Sequence, residues 1–105
     1  MALDVLPALE PDPGAVLDRE LAHSEEVLVK VFALGPGASL SPHVHEGSTN
    51  VFHVLEGTVT AIRGDETERV TAPGVVVHEP GTEHGARNES DERAVLTATF
   101  SPPPG

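Results

Sequence analysis

The sequence predicts an all-β domain, a sandwich or barrel of about eight short strands. Three observations carry this. Short runs rich in Val, Ile, Thr and Phe recur along the chain. Ten glycines and ten prolines punctuate them, as turns require. No segment spaces its apolar residues three and four apart as an amphipathic helix would.

The elements follow in chain order. Residues 1–15 place Leu3, Val5, Leu6 and Leu9 among Pro7, Pro11 and Pro13, which suits an N-terminal arm or edge strand and forbids a central one. A barrel domain is expected over 16–100. Its first strand is Val16 to Ala22, and the second is Glu26 to Leu34, stopped by Gly35-Pro-Gly37. Val51 to Glu56 ends at Gly57, Thr58 to Arg63 at Gly64-Asp65, and Thr67 to Ala72 at Pro73-Gly74. Val75 to His78 precedes the turn Glu79-Pro-Gly81. In Arg93 to Phe100, Leu96, Ala98 and Phe100 share one face while Val95, Thr97 and Thr99 share the other. The Pro-rich residues 101–105 cannot continue a sheet and are expected to form a flexible tail.

At 105 residues the chain is one domain, long enough for a single core. Seventeen acidic against six basic residues give a formal charge of −11, with a pI near 4.7. That charge repels a phosphate backbone, and three phenylalanines as the only aromatics offer no base-stacking platform, so no nucleic-acid partner is expected. The absence of cysteine excludes disulfides, thiolate metal sites and cysteine nucleophiles. The strongest apolar run, Val27 to Leu34, is broken by Lys30 and too short for a bilayer, so no membrane partner and a cytoplasmic location are expected.

Six histidines are present, at 23, 43, 45, 53, 78 and 84. His43 and His45 lie one residue apart on an extended segment, so both rings leave the same face. Such a pair can chelate one metal ion, or it can be two histidines with no shared partner. His53 follows Asn50 by three residues and alternates to the opposite face, for a packing or surface role. His78 suits a pocket or a wall position equally, and His23 is expected in solvent beside Ser24-Glu25-Glu26. Glu46, Glu56, Glu79 and Glu83 flank these segments; in so acidic a chain each reads as surface charge, and no catalytic residue is assigned.

Gly37-Ala-Ser-Leu-Ser-Pro-His43-Val-His45, continuing through Asn50 to Gly57, resembles the first signature of the cupin superfamily, Gly-x5-His-x-His-x(3,4)-Glu-x6-Gly. Glu79-Pro-Gly-Thr-Glu-His84-Gly-Ala-Arg-Asn88 resembles the second, with Gly81, His84 and Asn88 in matching positions. Glu79 stands at the signature proline beside Pro80, and Gly74 lies one residue closer than the pattern asks.

The resemblance implies a small antiparallel jelly-roll barrel binding one divalent metal. Its implied ligands are His43, His45 and His84. Counting back from Gly57 puts Asn50 where the signature has its glutamate, as a carbonyl donor, a holder of bound water, or a bystander. Imidazole-rich donors suit Zn, Fe, Ni, Co or Cu over Mg and Ca.

Three functions follow from the resemblance. The first is an enzyme on a small oxygen-rich molecule, by Lewis-acid isomerase, cyclase or lyase chemistry or as a three-histidine dioxygenase. The second is a non-catalytic module binding a metal or small ligand, and the third a metal-free barrel. Small cupins are often homodimers, and Leu3, Val5, Leu6 and Leu9 supply an apolar arm for such a partner.

Overall fold

A computed structural model describes residues 9–104. The first eight residues of the arm, with Leu3, Val5 and Leu6, and Gly105 of the tail lie outside the described residues. The strands are β1 (Val16–His23), β2 (Leu28–Leu34), β3 (Ser39–His43), β4 (Thr49–Glu56), β5 (Thr58–Arg63), β6 (Glu66–Thr71), β7 (Gly74–His78), β8 (His84–Arg87) and β9 (Ala94–Ser101). They pair antiparallel in two sheets, a five-stranded one ordered β1-β2-β9-β4-β7 and a four-stranded one ordered β3-β8-β5-β6. No helix among the described residues is long and apolar enough to cross a membrane.

The core lies between the sheets. Period-two alternation sends Phe52 and Val54 of β4 and Leu96, Ala98 and Phe100 of β9 inward, to meet Val59 and Ala61 of β5 and Ala86 of β8. The opposite face of β9 and β2 is also covered: Leu9 is completely buried with Val31, Ala33 and Val95. Arg93 fastens that cover, donating to the Leu9 carbonyl at 2.7 Å and gripping both carboxylate oxygens of Glu56 at 2.7 and 2.9 Å. The Arg93 guanidinium in turn holds the Glu56 carboxyl below its ordinary range.

Most strand limits agree with the sequence expectation within two residues. The second strand starts later because the Ser24 hydroxyl accepts the Glu26 and Val27 amides in a turn. The last runs one residue further, Ser101 pairing with Thr49 before the prolines begin. No strand was expected between His78 and Arg93, where Gly85 and Ala86 are poor strand formers; β8 forms there by pairing with β3 and β5. A single residue, Gly57, carries the chain from one sheet to the other at a φ of 76°.

Candidate metal centre

β3 and β8 build the site. His43 closes β3 opposite His84, which opens β8, so their Cα atoms are register partners. Two residues beyond His43 the chain has left the sheet, and the Gly81 amide donates to the His45 carbonyl at 3.1 Å, holding that turn against the 79–83 loop. The ring centroids of His43 lie 4.6 Å from His45 and 4.7 Å from His84, with His45 and His84 5.5 Å apart. One nitrogen from each ring falls within 4.8 Å of the others, and this is the group of three among the described residues that could hold a metal ion.

Backbone contacts set which nitrogens are available. The Nδ1 of His43 donates to the Ser41 carbonyl at 2.9 Å, and the Nδ1 of His84 to the Thr82 carbonyl at 3.0 Å. Both contacts reach back two residues, and both place the proton on Nδ1 and leave Nε2 as a lone-pair donor. The Nε2 of His84 is buried with no hydrogen-bond partner. Such an atom costs stability unless something satisfies it. Burial, and then the neighbouring His43, push the pKa of His45 down. Burial is also the main cause lowering that of His84; the Thr82 carbonyl opposes it, and His43 and His45 add to it. Neutral imidazole is the form that binds a metal. The three rings grade from exposed His43 through His45 to buried His84, so the group opens to solvent on one side. The residues therefore fit a small divalent cation, with nitrogens that must draw in to the ~2.0–2.1 Å of a metal–imidazole bond.

The remaining sequence candidates are distributed as follows. Asn50 is completely buried on the inner face of β4, in register with His78 on one side and Phe100 on the other. Its Nδ2 donates to the Thr99 carbonyl at 3.3 Å, and its Oδ1 has no partner. His53 is exposed, as alternation requires. His23 is exposed near Glu20. Asn88 is scaffold: it donates to the Leu34 and Glu92 carbonyls at 2.9 and 2.7 Å and accepts from the Ser90 amide and hydroxyl. Its side-chain polar atoms are all spent, the Leu34 contact tying the end of β8 to β2 and the others closing the turn over 88–92.

Two residues near the site could not be assigned from the sequence. His78 lies in the sealed interior: it is completely buried, stacks on His84 at 4.8 Å with a 14° interplanar angle, and leaves both nitrogens without partners. Burial chiefly, helped by His84 and Arg63, pushes its pKa down to about 4. The other is Lys30, which faces the cavity onto which His43 and His45 open. Its only sequence signal is a cation inside an apolar strand.

Two facing antiparallel sheets with three histidines converging near one end define a jelly-roll barrel with a candidate metal centre. The family profile described as the cupin domain matches residues 30–100. The chain belongs to the cupin family. It is similar to the TT1209 protein of Thermus thermophilus, with 32% identity over 96% of each chain and a TM-score of 0.87. It also shares its fold with KdgF from a Halomonas species, at 23% identity over 90% of this chain and 84% of that one, TM-score 0.79. A predicted oxalate decarboxylase of Thermotoga maritima is alike in fold at 22% identity, covering 84% and 81% of the two chains, TM-score 0.80. No curated protein matches the chain in sequence.

Proposed function

We propose that the chain is a metal-dependent enzyme in which His43, His45 and His84 hold one divalent transition-metal ion, with the Asn50 carbonyl as a neutral further donor. The observation that carries this is the pair of backbone contacts on Nδ1 of His43 and His84, which leaves the Nε2 lone pairs for an ion. The bound ion would supply Lewis-acid polarisation of a substrate oxygen, for isomerisation, cyclisation or elimination. An amide at position 50 in place of a carboxylate leaves the ion its full double charge, which favours anionic and chelating oxygen ligands. His84 anchors the buried side of the site and His43 the solvent side. Phe100 meets His45 edge-on at 5.2 Å and gives the cavity an apolar wall beside it.

Elemental analysis of protein purified without added metal or chelator tests this reading. About one transition-metal ion per chain is expected, zinc pointing to Lewis-acid chemistry and iron to oxygen chemistry. His84→Ala and the more exposed His43→Ala should each abolish it. Unchanged metal content in both folded variants would sink the ligand set. Asn50→Glu should tighten divalent binding, and no change would place Asn50 outside the metal's reach.

A further inference from the structure

The inner row of β2 reads Leu28, Lys30, Phe32 and Leu34; Leu34 sits in the core, and the other three line the cavity beside the histidines. That cavity, about 440 Å³, is walled further by Leu40, Phe52 and Phe100, with His43 and His45 also on its lining. The volume falls among those of small-molecule sites, ~300–1,000 Å³. Its walls offer apolar contact to a ligand and few polar partners. A sugar-like molecule would lose hydrogen bonds to water on these walls and regain few of them.

Lys30 is the chain's only lysine, and the only cationic side chain on this cavity among the described residues. A charge in the inner row of a strand is costly unless it is paired. The Asp18 carboxylate, 2.7 Å away, pairs it, and the ammonium lies 5.2 Å from the Phe32 ring centroid. These contacts hold the head group in place and occupy one of its three N–H donors on Asp18. Two donors remain for an acceptor in the cavity.

We propose that the cavity takes a small molecule with an aromatic or branched apolar body and two polar ends, a carboxylate received by Lys30 and an oxygen presented to the imidazoles. This deepens the metal reading given above and rests on it for the imidazole end only. Apolar walls select the body, and the cation selects the carboxylate against the repulsion of an otherwise acidic protein.

Calorimetric titration with three probes tests the assignment on protein whose metal content has been measured. The probes are 4-acetylbenzoate, which has the expected pattern; 4-methylacetophenone, which lacks the carboxylate; and galacturonate, an acid without an apolar body. 4-Acetylbenzoate should bind tightest. Lys30→Met, which keeps the length and apolar stem of the side chain, should weaken it roughly tenfold or more, the worth of a charge-assisted hydrogen bond. The same variant should leave 4-methylacetophenone binding and metal content unchanged.

Galacturonate binding as tightly as 4-acetylbenzoate would overturn the ligand class. Equal affinity of wild type and Lys30→Met for 4-acetylbenzoate would overturn the role of Lys30. The expected probe pattern in metal-free protein would uphold the ligand class while the metal reading fails. One ion per chain without the pattern would do the reverse.

Discussion

At His78 a ring with two polar atoms is sealed in the interior without a hydrogen-bond partner, stacked on His84. Burial keeps it neutral, with a pKa pushed down to about 4, while the unfolded chain protonates near the ordinary value of 6.5. Between those values the unfolded state binds more protons, so stability is full above pH 6.5 and falls as the pH drops toward 4. His84 and His45, shifted the same way, add to the slope. Thermal melts of metal-stripped protein from pH 7 to pH 4 should show the loss, and His78→Leu should flatten it. An equally steep profile in that variant would assign the slope elsewhere. Asn50, the cross-strand neighbour of His78 on β4, shares this polar interior with its own unpartnered Oδ1.

Among the elements, the β3–β8 pair decides whether the histidines meet at all. β3 is an edge strand with Pro42 in it, and its register shifts between Leu40 and His43. That irregularity is tolerated because Gly85 has no side chain. A Cβ there would stand 2.7 Å from the Leu40 carbonyl oxygen and 3.1 Å from the Pro42 backbone. Gly85→Ala must therefore push β3 off β8 and draw His43 away from His84. Its expected cost is ~1–3 kcal/mol of stability, read from denaturant unfolding. Metal content should fall with it. A variant of wild-type stability and full metal content would show that the strand pair does not set the site. β4 and β9, at the centre of the other sheet, carry inward rows with no such opening, and their part is to wall the cavity.

For the molecule as a whole, the formal charge of −11 concentrates cations around a barrel whose three clustered imidazoles open to solvent on one side. An ion bound only by the folded chain stabilises it by mass action, about 2.7 kcal/mol at a hundredfold excess over Kd. For a domain of this size each kcal/mol moves the melting temperature by ~4–8 °C. Chelation should therefore lower the melting temperature by roughly 10–20 °C under those conditions, and readdition of the ion should restore it. A melting curve indifferent to chelator would speak for a barrel that holds no metal. Scanning calorimetry with and without EDTA makes the comparison.

The sequence by itself determined the class of fold, because alternation and Gly/Pro punctuation are local properties that survive without a partner strand. It also determined the three histidines, whose spacing repeats a known signature. β8 was not legible: four residues centred on Gly85 and Ala86 have little strand preference and form one only between β3 and β5. Nor was the scaffold role of Asn88 legible, since Leu34, which accepts from its amide, is 54 residues away and meets it only in the folded chain. The tertiary structure alone decided that His78 lies inside and that Lys30 faces the cavity. Alternation tells which residues share a face of a strand, but which face becomes the interior depends on the sheet that folds over it.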